Sequence, residues 1–116
     1  THIDIEEGTK GIACCAFENC ENLTGITFPQ SLEYIGGSSF VFCNGLTSVN
    51  IPSGVDYIGN MAFFACSSLK SVSIPENMKT IQEKAFYQCD SLKMSIIQEL
   101  RKNGTALKLP HIMKIF

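Results

Sequence analysis

LTSVNIP at residues 46–52 is the stretch that decides the fold, because it has counterparts one period before and one period after it. The earlier copy is LTGITFP at residues 23–29, the later one is LKSVSIP at residues 69–75, and the period is 23 residues. Self-similarity at a fixed period of this size is typical of a solenoid, in which stacked coils bury their apolar faces against one another.

Three residue types keep the same step and are predicted to form the structural repeat core. They are Phe17, Phe40, Phe63 and Phe86, then Cys20, Cys43, Cys66 and Cys89, and then Leu23, Leu46, Leu69 and Leu92. Within each quoted stretch, apolar and small polar residues alternate as in a half-buried strand, and proline ends the strand because it has no N–H to donate. Stacking the coils predicts one parallel sheet with one short strand per coil and strands about 4.8 Å apart.

The 116 residues are predicted to form a single domain. Its predicted parts are a partial coil at 1–12, regular coils at 13–94, a helical insertion or cap at about 91–104, and a final partial coil at 105–116. The register breaks where Ser95 and Gln98 replace an apolar residue and the proline. We favour an insertion at 95–106 over a terminal cap, because LKLP at 107–110 restores the strand–proline pattern.

Gly36 and Gly59 directly follow Ile35 and Ile58, which are one period apart. Glycine adopts positive φ at no steric cost, so we expect a tight turn with positive φ at both positions.

The charge and hydropathy patterns argue against nucleic-acid binding and against membrane insertion. The net charge is −2, with seven acidic residues against one lysine in residues 1–69 (net −6) and eight basic residues against four acidic ones in residues 70–116 (net +4). Clustered Lys and Arg with stacking aromatics are absent, so no nucleic-acid interface is predicted. The lack of an 18-residue apolar run argues against membrane insertion. The unlike charges of the two halves leave self-association open.

The cysteines are interpreted as structural. The four in register are predicted to be buried thiols, because free cysteine behaves as a small apolar group. Disulfides between neighbouring coils remain an alternative if the protein is secreted. Cys14 and Cys15, which lie outside the register, lack the paired spacing of a zinc site, so neither a metal nor a cofactor is expected.

His2 and His111 lie in incomplete coils, where a preorganised catalytic base is unexpected. We therefore predict that the chain is not an enzyme.

Candidate ligand-binding residues are the outward positions of the strands and the aromatic residues outside the core register. They are Thr27, Asn50 and Ser73, their neighbours Ser48 and Ser71, and the aromatics Tyr34, Tyr57, Phe64 and Tyr87. Two alternatives remain: small hydroxyl residues also suit a closely packed sheet face, and the aromatics could bury the turn side of the coils.

Each coil reads approximately L-x-x-I-x-I-P-x-x-V-x-x-I-G-x-x-A-F-x-x-C, which resembles the leucine-rich repeats of the BspA type over residues 3–94 and 107–116. The resemblance implies an α/β leucine-rich-repeat solenoid in a microbial cell-surface or secreted protein, although the chain shows no signal peptide. It further implies a non-catalytic, adhesion-related module that recognises a protein or a glycan. The alternative is a structural spacer or self-associating segment of a longer protein.

Overall fold

The computed structural model describes residues 1–75 and 78–92, which wind into stacked coils with three sides each. Two sides are short strands, and the third is a run of turns. The strands are β1 His2–Asp4, β2 Gly11–Ile12, β3 Gly25–Thr27, β4 Tyr34–Ile35, β5 Ser48–Asn50, β6 Tyr57–Ile58, β7 Ser71–Ser73 and β8 Thr80–Ile81. All strand pairs are parallel, and paired residues are one period apart. The predicted solenoid with parallel strands is confirmed.

Each coil has two strands, whereas the sequence predicted one. The first-strand side consists of β1, β3, β5 and β7, and the second-strand side is a four-stranded sheet in the order β2-β4-β6-β8. The second strands contain two residues each, for example Tyr34–Ile35, with tyrosine exposed and isoleucine buried. Two residues are too short a run for alternation to be recognised, which explains why these strands were missed.

The turn side is held by backbone hydrogen bonds between coils. The Phe17 N–H donates to the Ser39 carbonyl, Phe40 N–H to Ala62, and Phe63 N–H to Ala85, each at 2.7 Å. On this side, residues with positive φ recur at two positions of every coil that the structure describes. They are Cys15, Ser38, Met61 and Lys84, and Asn19, Phe42, Ala65 and Gln88, with φ between 57° and 64°.

The prediction of positive φ at Gly36 and Gly59 is wrong. Among the described glycines only Gly8 has positive φ. Glycine is required at the two positions because the coils approach closely there. A Cβ on Gly59 would lie 2.4 Å from the Gly37 nitrogen, and one on Gly36 would lie 2.6 Å from the Ile12 carbonyl oxygen.

The core runs along the stack and contains the residues whose burial the repeat predicted. Phe40, Phe63 and Phe86 are fully buried, and the four leucines that repeat at the same 23-residue step are buried as well. Phe17 and Cys20 are only half-buried, because a single coil of the described chain packs against them.

The predicted change of pattern near the C-terminus lies mostly outside the described residues. Residues 90–92 are helical. The remainder of the predicted helical insertion or cap, the final partial coil and His111 are not among the residues described. No helix in the described part of the chain has the length and hydropathy of a membrane span.

Candidate functional site

The first-strand side presents small polar side chains to solvent. Ser48 pairs with Ser71 and Asn50 with Ser73, and all four are exposed, while Val49 between them is buried. Thr27 occupies the equivalent exposed position of β3. Alternation along each strand therefore brings the predicted polar residues onto one face.

The sheet on this face is split between β3 and β5. β1 pairs with β3 and β5 with β7, but within residues 1–75, which are described without a gap, no backbone hydrogen bond joins β3 to β5. At the two intact interfaces, Ile5 N–H donates to Thr27 O and Ile51 N–H donates to Ser73 O, both at 2.9 Å. The equivalent bond from Phe28 to Asn50 is absent. The prediction of one continuous sheet on this side is therefore wrong.

Phe28 distinguishes the split interface from the two intact ones. The equivalent position carries isoleucine in the other coils, at Ile5, Ile51 and Ile74. The Phe28 ring is buried and packs edge-on against Phe40, with centroids 5.9 Å apart and planes at 76°. An aromatic ring needs more room than an isoleucine side chain, and this difference in sequence coincides with the split.

A cleft of about 610 Å³ lies over the split. Its lining includes four of the predicted residues, Thr27, Ser48, Asn50 and Ser73, while Ser71 lies outside it. The other polar residues of the lining were not among the predicted ligand-binding residues, although the repeat places two of them one period apart and the third in register with Ser48. These are His2, Gln30 and Ser53.

His2 contacts its neighbours in a way that does not suit nucleophilic catalysis. Its Nε2 lies 2.8 Å from Thr27 Oγ1 and 3.1 Å from Asp4 Oδ1, while Nδ1 faces the Gly25 backbone. In a catalytic triad the nucleophile and the carboxylate occupy opposite ring nitrogens, so that one orients the base while the other loses its proton. In this cluster hydroxyl and carboxylate share one nitrogen, so the geometry differs from that of a catalytic triad.

The predicted aromatic residues lie on two other sides. Tyr34 and Tyr57 are paired on the second-strand side and are 46% and 39% exposed. The Tyr34 ring covers Gly11, where a Cβ would lie 2.0 Å from the ring. The tyrosines therefore form an exposed strip distinct from the cleft.

On the turn side, three rings form a row. Phe42 and Phe64 meet edge-on with centroids 5.3 Å apart, and Phe64 stacks on Tyr87 at 5.5 Å. The Lys84 ammonium lies 5.2 Å from the Tyr87 centroid. Val41, which shares the sequence register of Phe64, is buried, and Phe42 takes its place in the row.

The register cysteines are free thiols, and three of them donate a hydrogen bond to the preceding coil. Cys43 Sγ donates to the Phe17 carbonyl at 3.2 Å, Cys66 to Phe40 at 3.1 Å and Cys89 to Phe63 at 3.0 Å. Burial raises the pKa of the Cys43 thiol to about 11. The pKa of Cys66 is also raised, by its hydrogen bond with Cys89 and then by burial. The raised pKa values keep the Cys43 and Cys66 thiols protonated at neutral pH.

The comparisons with known proteins agree with this architecture. A family model described as "BspA type Leucine rich repeat region (6 copies)" matches residues 1–106. No curated protein sequence matches the chain. Among solved structures, a leucine-rich repeat protein from Bacteroides ovatus is 33% identical to the chain, with a TM-score of 0.56. The match covers 80% of this chain but only 30% of that protein. The chain therefore belongs to the BspA type leucine-rich repeat family.

Proposed function

We propose that the chain is a non-catalytic recognition module of a microbial cell-surface or secreted protein, that it serves adhesion, and that it binds its ligand in the cleft between β3 and β5. The observation that carries this proposal is the cleft itself. It is open to solvent, polar, and located where the repeat is interrupted by Phe28. Leucine-rich repeats of this family are generally non-enzymatic and typical of bacterial surface or secreted proteins, which supports the class of function.

The chemistry of the cleft indicates what it would bind. Its polar lining consists of hydroxyl and amide side chains and one histidine, with no Lys, Arg, Asp or Glu among the lining residues. Strand edges that do not bond to each other add backbone donors and acceptors. Such a surface suits an uncharged ligand rich in hydrogen-bonding groups, either a glycan or an extended polypeptide segment.

The test is a binding screen of the purified chain on glycan arrays and immobilised extracellular-matrix proteins. The variant carries Asn50→Arg and Ser73→Arg, which place two long charged side chains in the cleft. The control carries Ser67→Arg and Thr80→Arg, two exposed residues outside the cleft lining with the same change of charge. We expect binding that the cleft variant loses and the control retains. A ligand bound equally by both variants would contradict the cleft as the site and direct attention to the aromatic rows.

Self-association is the second candidate, favoured by the net charge of −6 over residues 1–69 against +4 over residues 70–116. Unlike ends that meet head to tail can propagate a stack, which would suit a structural spacer. High salt screens such contacts, so we expect any oligomer to dissociate in high salt when followed by sedimentation velocity. Oligomers that persist in salt would contradict an electrostatic origin.

A further inference from the structure

Two cysteines that the repeat does not require lie side by side on the surface. Cys14 and Cys15 are both exposed, and their Sγ atoms are 3.5 Å apart. The same positions of the later coils carry Gly37-Ser38, Asn60-Met61 and Glu83-Lys84. The coil therefore has no structural need for a thiol at either position, in contrast to the buried register cysteines.

The fold explains why these two sulfur atoms meet. In an extended strand, successive side chains point to opposite faces and adjacent sulfurs diverge. Cys15 instead has φ 64°, at the position where every described coil adopts positive φ. Its backbone is fixed there by a hydrogen bond from the Cys15 N–H to the Gly37 carbonyl at 3.2 Å. The turn geometry of the solenoid thus holds the two cysteines with their sulfurs together.

We propose that Cys14 and Cys15 form a bidentate dithiolate site for a thiophilic metal or metalloid ion. With metal–sulfur bonds of about 2.3 Å, two sulfurs 3.5 Å apart subtend an angle of about 100° at the ion, which is close to tetrahedral or pyramidal geometry. Soft thiolate ligands select ions of this class. Among the described residues no third His, Cys, Asp or Glu completes a set of ligands. The site is therefore open, with water or a second molecule at the other positions.

Binding is a substitution without redox change. For a trivalent arsenic oxide R–As=O, two S–H bonds and the As=O bond break, two As–S bonds form, and one water molecule leaves. Divalent cadmium displaces two protons to solvent. Because the ion must displace two thiol protons, cadmium binding should tighten as pH rises.

The experiment titrates the reduced chain with cadmium and, separately, with phenylarsine oxide. Cadmium–thiolate absorbance and the loss of titratable thiols are the two readouts. We expect one equivalent of each probe per chain, with two thiols consumed. Replacing either sulfur, by Cys14→Ser or Cys15→Ser, should weaken cadmium binding by more than about tenfold, since one of two thiolate bonds is lost.

The matched control is Cys20→Ser, a half-buried cysteine of the same coil, which should leave the stoichiometry and affinity unchanged. Circular dichroism verifies that each variant is folded. Full affinity in both single serine variants, or binding that Cys20→Ser abolishes, would overturn the proposal. Cys14 and Cys15 do not line the proposed cleft, and a thiophilic ion differs chemically from a glycan or a polypeptide. The metal site and the proposed ligand site can therefore each fail without the other.

Discussion

Phe40 and Phe63 stack face to face, with ring centroids 5.0 Å apart and ring planes within 3° of parallel. They are one period apart, and the same contact continues to Phe17 and to Phe86 at 5.2 Å. Stacked aromatic rings at this separation contribute beyond the area that they bury. The rings form a column through the stack, so each coil is joined to its neighbours by the same contact.

Truncating the middle of this column should strongly destabilise the whole array. Phe63→Ala removes a fully buried ring that packs on both neighbours, and we expect a loss of about 3–5 kcal/mol in the free energy of unfolding. Chemical denaturation measures it. Phe42→Ala, which truncates a ring that is 41% exposed, is the control and should cost under about 1.5 kcal/mol. Equal losses in the two variants would contradict the column as the main contact between coils.

Replacing Phe28 by isoleucine should close the split between β3 and β5. The smaller side chain restores the residue present in the other coils. In the Phe28→Ile variant, the N–H of residue 28 should then donate the missing ladder bond to the Asn50 carbonyl. Amide hydrogen exchange is the measurement. In the native chain, the amide of residue 28 should exchange faster than those of Ile5 and Ile51, which are bonded. Slow exchange at Phe28 in the native chain would show that the split is not present in solution.

The same substitution bears on the proposed ligand site. If the cleft depends on the split, Phe28→Ile should weaken ligand binding, although residue 28 is buried and the exposed polar side chains are unchanged. Binding at native strength in a Phe28→Ile chain with a restored ladder would separate the ligand site from the split.

Gly59→Ala should destabilise the fold through steric contact alone. The added methyl group would lie 2.4 Å from the Gly37 nitrogen, so the two coils must move apart. We expect a cost of about 1–3 kcal/mol, the range for overpacked positions. Thr80→Ala, an exposed position of the same four-stranded sheet, is the control. A thermal midpoint that Gly59→Ala leaves unchanged would contradict the close approach of the coils.

Ser39→Ala should stabilise the protein. The Ser39 hydroxyl is fully buried and has no hydrogen-bond partner, and the later coils carry Ala62 and Ala85 in its place. An unpaired buried hydroxyl costs about 1–3 kcal/mol, so its removal should raise the free energy of unfolding by about 1 kcal/mol. Ser71→Ala, at an exposed strand position, should change it little. A destabilised Ser39→Ala chain would indicate that the hydroxyl is bonded after all.

Alkaline pH should weaken the fold through the buried thiols. The pKa of Cys43 is raised by burial from 9.0 to about 11, so its contribution to stability is complete below pH 9 and is lost as pH rises through 11. Urea unfolding at about pH 8 and about pH 10.5 measures this loss. Cys43→Ala removes this thiol and should reduce the pH dependence of the free energy of unfolding. An identical pH dependence in that variant would assign the loss to other groups, such as tyrosines.

The sequence by itself determined the solenoid, because a repeat stacks like residues on like residues. Phe40 had to meet Phe63 and Ile26 had to be buried once the period was known. The outward positions of the first strands, such as Asn50 and Ser73, followed from alternation in the same way.

Only the tertiary structure decided the features that depend on distances between coils. The split at Phe28, the cleft that His2 and Gln30 help to line and the close approach at Gly59 depend on such distances. The contact between the Cys14 and Cys15 sulfurs depends on the turn geometry within one coil. A repeat pattern states which residues are equivalent, but not how far a single larger side chain displaces its coil. That displacement depends on three-dimensional packing, where interiors are dense and a local change in volume must be accommodated by the neighbouring coils.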